Sequence, residues 1–154
     1  MPRTIYHGSF TLTRRYKAKP SRVFQAFSDK DTKARWFRGD EEGYESYQFE
    51  MDFRIGGRDF FRFKHGSFPE EMFNEGFYLD IVPNELIVHA YAMGTAAGRF
   101  SASLQTLSFA PDGTGTLLTF DEYGSFFDNP DAARMREEGT RGLLEAIASV
   151  VDGA

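Results

Sequence analysis

Apolar and polar residues alternate along most of this chain, and that period of two predicts its strands. From Ser9 to Tyr16, Phe10, Leu12 and Arg14 share one face, and Thr11, Thr13 and Arg15 the other. Tyr47, Phe49, Met51 and Phe53 alternate with Gln48, Glu50, Asp52 and Arg54, an apolar face against a charged one. Gly56-Gly57 signals a hairpin. The next run, Asp59 to Lys64, sets Phe61 and Phe63 against Arg62 and Lys64, with Phe60 among the polar set. After a loop from His65 to Met72, the run Glu75 to Val82 sets Phe77, Leu79 and Ile81 against Gly76, Tyr78 and Asp80. Pro83-Asn84 turns the chain into Leu86 to Met93, Gly94 to Gly98 leads on to Arg99 to Phe109, and Asp112-Gly113 marks a hairpin into Thr116 to Tyr123. All these links are short, so sequential strands are expected to pair antiparallel.

Two stretches have the period of a helix. Pro20 suits a first helical residue, and Val23, Phe24 and Phe27 form a short amphipathic stripe. Asp29 caps a second short helix ending at Trp36 and Phe37, and Gly39 to Gly43, with three acidic residues, reads as an exposed loop. At the end, Asn129-Pro130 opens a helix whose stripe reads Met135, Gly139, Gly142, Leu143, Ala146, Ile147 and Val150. Arg134, Glu137, Glu138, Arg141 and Glu145 fall opposite, and Leu144 is the exception. At roughly 1.5 Å per residue this helix is about 30 Å long, enough to cross a sheet. Gly139 and Gly142 either admit close approach of that sheet, the favoured reading, or leave room for something else.

Composition changes the picture in one respect. Among 154 residues are 17 Phe, 7 Tyr and 1 Trp, rings that either fill a core or line a pocket. A single domain spanning 1–154 is expected from the length. The absence of cysteine excludes disulfides and thiolate chemistry. A formal charge of −5 argues against nucleic acid as the main partner. No apolar run suggests a signal peptide or a membrane helix, which points to a cytoplasmic address. Arg14, Arg15, Lys17, Lys19 and Arg22 form a local basic cluster, read as a solvated strand end or as a docking patch for an acidic partner. The strand carrying Arg14 and Arg15 could pair across a homodimer, although those two charges resemble edge protection.

The stretch Arg15-Tyr16-Lys17-Ala18-Lys19-Pro20-Ser21-Arg22-Val23-Phe24-Gln25-Ala26-Phe27 resembles the opening of START-like (SRPBCC) proteins, most closely the activator of heat-shock-protein-90 ATPase homologue-like family. Arg35-Trp36-Phe37, Phe53-Arg54-Ile55-Gly56-Gly57-Arg58, the glycine-threonine hairpin from Gly113 to Phe120, and Glu138-Gly139-Thr140-Arg141-Gly142-Leu143-Leu144 are similar to further motifs of that family. Thr140 stands where the last motif often has Trp. The resemblance implies an α+β helix-grip fold, with a curved antiparallel sheet of about seven strands around a long C-terminal helix and two short helices after the first strand. It also implies that the apolar strand faces line an internal cavity. The superfamily binds lipids, hormones or polyketides, and some members catalyse cyclisation or hydrolysis.

On that arrangement Phe49, Met51, Phe61, Phe63, Phe77 and Leu79, with Met135 and Gly139 from the helix, are expected to line the cavity, and Trp36 to sit near its mouth. Leu118, Phe120 and Glu122 share a face. If it points inward, Glu122 is a carboxylate in apolar surroundings, a setting that suits acid–base work, although a Glu near a strand end is more often solvated. His89 shares a face with Tyr91 and is either a proton carrier or a hydrogen-bonded structural residue. No triad, phosphate loop or nucleophile elbow appears. His7, His65 and His89 lack ligand spacing, so no metal and no cofactor are expected. Three functions follow in order: binding of a small hydrophobic or amphipathic molecule, then a cyclase- or hydrolase-type enzyme using Glu122 or His89, then a co-chaperone-like interaction domain docking through Arg14, Arg15 and Lys17.

Overall fold

Among the described residues the alternating stretches become seven strands and the periodic ones three helices, in the order β1 (Ile5–Tyr16), α1 (Pro20–Ser28), α2 (Lys30–Phe37), β2 (Glu45–Met51), β3 (Arg58–Lys64), β4 (Met72–Val82), β5 (Leu86–Thr95), β6 (Gly98–Asp112), β7 (Gly115–Phe127) and α3 (Ala132–Val151). The structure, a computed structural model, describes residues 3–37, 45–66 and 68–153. The acidic loop expected from Gly39 to Gly43 therefore lies outside the described residues. The strands form one sheet in the order β1-β7-β6-β5-β4-β3-β2, with every pairing antiparallel. With α3 packed across it this is the α+β helix-grip arrangement.

Local chemistry accounts for the helix starts. Pro20 supplies the preset φ of a first turn in α1. The Asp29 carboxylate accepts hydrogen bonds from Thr32 N at 3.0 Å and Thr32 Oγ1 at 2.6 Å, capping α2. The core then forms where α1 and the C-terminal half of α3 meet β1, β6 and β7. Val23, Leu118 and Ile147 are fully buried there, among Leu12, Phe24, Phe27, Phe109, Phe120 and Leu144.

Two faces differ from expectation. The inward stripe of α3 runs through Thr140, Leu144, Ile147 and Val151, whereas Met135, Gly139 and Gly142 are exposed. Leu144, expected to face away, lies in the core, and its carbonyl accepts a 2.8 Å hydrogen bond from the Tyr16 hydroxyl. The reason is the polarity of what the helix meets: its N-terminal half lies over hydroxyls and a carboxylate, so Thr140 and Arg136 turn inward. Close approach is provided by the sheet instead. A Cβ on Gly8 would come within 2.5 Å of Ala133 Cβ, while a Cβ on Gly139 or Gly142 would meet nothing within 4 Å.

In β4 the alternation is present with its faces exchanged. Gly76 and Tyr78 point inward, while Phe77 and Leu79 are 45% and 52% exposed on the outer face. The inner position at 76 faces His89 and Asp59: a Cβ there would overlap the His89 ring and lie 2.7 Å from Asp59 Oδ1. Only glycine fits. Tyr78 packs on Phe53 at a ring distance of 4.8 Å, and a bulge between Tyr78 and Asp80 then returns Ile81 to the core side. A second irregularity, between Ser46 and Gln48, turns Tyr47 out to solvent.

Candidate functional site

Between α2, α3 along most of its length and the inner faces of β3 to β7 lies an open cleft of about 1780 Å³. Its walls are aromatic. Phe61 and Phe63 from β3 are buried with ring centroids 4.7 Å apart, and Phe27, Trp36 and Phe37 close one side. Gly139 and Gly142 on α3 lie along another side and present no side chain to it.

Two polar clusters interrupt this apolar lining. The first joins three elements. Asp59 of β3 holds His89 of β5 through a 2.9 Å contact from Oδ1 to Nε2, and its Oδ2 lies 3.7 Å from the Lys33 ammonium of α2. Lys33 is 8% exposed. Burial pushes its pKa below the usual lysine range, against the opposing pull of Asp59. Burial also disfavours the Asp59 carboxylate, but the His89 hydrogen bond and the Lys33 charge outweigh it and hold that carboxyl below the usual range. The Tyr78 ring lies tilted against His89 at 4.9 Å, and its hydroxyl is the one buried side-chain polar atom without a hydrogen-bond partner among the described residues. Burial, reinforced by nearby Asp59, holds that phenol well above the usual range.

The second cluster is centred on Arg136 of α3. Its guanidinium donates to the Tyr91 hydroxyl at 2.6 Å, to Ser101 Oγ at 2.8 Å and to Glu122 Oε2 at 3.4 Å. Tyr91 in turn donates to Glu122 Oε2 at 2.8 Å, and Gln105 Nε2 donates to the other oxygen at 3.0 Å. The guanidinium also lies over the rings of Phe126 and Tyr91, at 5.2 and 5.5 Å. His89 and Tyr91, two residues apart on β5, stack at 5.8 Å and so connect the clusters. Burial pushes the Tyr91 phenol far up, the Glu122 carboxylate adding to this and Arg136 opposing it.

The residues expected from sequence are divided by these placements. Phe61, Phe63, His89, Tyr91, Trp36, Met135 and Gly139 line the cleft. Trp36 is only 5% exposed, and its Nε1 donates to the Ala26 carbonyl at 2.7 Å, so it is a wall of the cleft and not its lip. Phe49 packs on Phe37 and Phe61 behind the wall, and neither it nor Met51 lines the cleft. Phe77 and Leu79 lie on the opposite side of the sheet. Glu122 does point inward and is 1% exposed, but its surroundings are Arg136, Tyr91 and Gln105 and are not apolar. It sits behind Tyr91, out of the cleft lining.

Lys33, Asp59 and Arg136 are the residues that sequence reading missed. Asp59 was within reach of the pattern, because it precedes Phe61 by two residues and so shares their inward face. Lys33 and Arg136 gave no signal beyond being charged residues on amphipathic helices.

Among the described residues no cluster of three or more His, Asp and Glu could hold a metal ion, and no helix is long and apolar enough to cross a membrane.

The fold has close counterparts among solved structures. The Mll3558 protein from Rhizobium loti is 46% identical, with 95% of this chain and 98% of that chain covered and a TM-score of 0.85. A putative uncharacterized protein from Rhizobium leguminosarum is 29% identical over the full length of both chains, with a TM-score of 0.90. Protein CV1439 from Chromobacterium violaceum is 27% identical, with 93% and 96% covered and a TM-score of 0.76. No curated protein matches this chain significantly. The model of one family spans residues 17–152, which takes in both short helices, six of the strands and the helix that carries Arg136, and the chain accordingly belongs to the Activator of Hsp90 ATPase homolog 1-like protein family.

Proposed function

We infer that the chain binds a small, amphipathic, uncharged molecule in the cleft beside α3. The observation that carries this reading is the balance of charge in the enclosed part of the cleft: Lys33 is matched by Asp59 and Arg136 by Glu122, while the other charged lining residues, Asp31, Arg35 and Glu138, are exposed to solvent. A ligand bringing its own charge would leave one of these buried ions uncompensated, whereas a carbonyl or hydroxyl would meet donors and acceptors already in place. Its apolar body would rest on Phe61, Phe63 and Phe120, opposite the open backbone of Gly139. The test is native mass spectrometry of gently purified protein, followed by denaturing extraction and a thermal-shift panel of neutral and charged aromatic compounds. A co-purifying neutral molecule, or stabilisation confined to neutral compounds, supports the reading. An empty protein indifferent to the whole panel overturns it.

A second reading is favoured by one contact. Asp59 fixes the ring of His89 as an orienting carboxylate does beside a general base, so proton transfer to a bound ligand would fall to His89 and not to Glu122. Turnover lost in His89→Gln with ligand binding retained would establish it. The docking reading draws no such support, because Arg14 and Arg15 are already engaged by Glu145 and Asp112 of this same chain.

A further inference from the structure

The chain has five lysines, and only Lys33 is buried; Lys17, Lys19 and Lys30 are exposed and Lys64 is half-buried. Lys33 lines the cleft, with its Nζ 4.9 Å from the Phe37 ring centroid and 3.7 Å from Asp59 Oδ2. An amine so placed has apolar walls for an incoming ligand on one side and a proton acceptor on the other. Beyond Asp59 the proton has a second station in His89, 2.9 Å from the other carboxylate oxygen. If the cleft is the ligand site, as inferred above, this geometry also says what a ligand does there.

We propose that Lys33 captures the carbonyl group of a small aromatic aldehyde or ketone as a Schiff base. The ammonium first passes a proton to the Asp59–His89 pair, leaving a lone pair on Nζ. That lone pair attacks the carbonyl carbon, a C–N bond forms as the C=O π pair moves onto oxygen, and a proton passes from the nitrogen to that oxygen, giving a hydroxyl and restoring the nitrogen lone pair. The nitrogen lone pair then expels that hydroxyl, protonated by His89, as water, and C=N replaces C=O. Amine and carbonyl become imine and water, with no oxidant or reductant needed. Burial of Lys33 favours the neutral amine that the first step requires.

The test uses 2-naphthaldehyde with cyanoborohydride, which reduces any imine to a stable secondary amine, and locates the adduct by peptide mapping. Lys33 is expected to label faster than each of the other four lysines, since burial leaves more of its amine unprotonated at neutral pH. Lys33→Arg, which keeps a cation beside Asp59, should abolish the fast adduct, and 2-naphthalenemethanol, which has the ring without the carbonyl, should slow it. Equal labelling of all five lysines, or a fast adduct surviving Lys33→Arg, overturns the Schiff base. If in that case 2-naphthalenemethanol still raises the melting temperature, the cleft stands as a binding site and the covalent step alone fails. No melting shift from either compound, together with equal labelling, removes both.

Discussion

Beneath the C-terminal half of α3 the molecule is dry: Ile147 and Leu144 meet Val23, Leu118, Phe109 and Phe120, and no charged side chain enters. Beneath the N-terminal half, on the same sheet, Arg136 faces Glu122, and Lys33 and His89 both face Asp59. The two regions share strands and a helix yet are stabilised differently. In the first, burial of apolar area is non-directional and tolerant. In the second, each buried ion is held by named partners, and removing one leaves the others without compensation. Stability can thus reside at one end of the helix while the other end keeps a polar surface open to a ligand.

The largest expected effect separates these regime types. Arg136→Met strips Glu122 of its cation and should destabilise the fold by about 3–5 kcal/mol in a denaturant titration, and adding Glu122→Gln should recover a good part of that loss. A double variant no more stable than the single one would mean that the pair is not coupled. At the dry end, Ile147→Ala should lose about 2–5 kcal/mol through the cavity left behind, with the coupling between Arg136 and Glu122 unchanged; an altered coupling would show that the two ends are not independent.

Glycines sharpen the contrast further. Gly76→Ala forces a Cβ into the Asp59–His89 contact and should cost about 1–3 kcal/mol. Gly139→Ala meets open space and should gain up to about 1 kcal/mol from helix propensity. If both changes proved neutral, the packing difference between the two positions would be of no consequence.

The smallest effect is a slope with pH. Lys33 titrates lower in the folded chain than its ordinary ~10.4, so between its lowered pKa and that value the unfolded chain binds more protons and stability rises with pH. Above about pH 10 the sign reverses, because buried Tyr16, Tyr78 and Tyr91 keep protons that the unfolded chain releases. Denaturation midpoints should therefore climb with pH in the range just below about pH 10 in the parent protein and climb less in Lys33→Met. Equal slopes would show Lys33 to be solvated.

Much of the fold was legible residue by residue. Phe10 and Leu12, Phe61 and Phe63, and Leu118, Phe120 and Glu122 all point inward as their alternation predicts. Alternation nevertheless states only that two faces exist. In β4 the larger apolar side chains, Phe77 and Leu79, marked the wrong one, because the inner face had to accommodate His89 and Asp59 and could do so only with a glycine. In α3 the buried stripe lies about one residue out of phase with the apolar pattern, since Met135 and two glycines fall on the exposed side while Thr140 is buried.

Sequence by itself therefore determined the order and period of the elements, the residues that start the short helices and the antiparallel pairing of consecutive strands, because each of these depends on neighbours a few positions apart, whereas β1 meets β7 across a hundred positions or more. Tertiary structure alone decided which charges are buried and with whom. Lys33 meets Asp59 across 26 positions and Glu122 meets Arg136 across 14. Whether such a charge is solvated or enclosed depends on the packing of α2 and α3 over the sheet, which no local pattern of residues encodes.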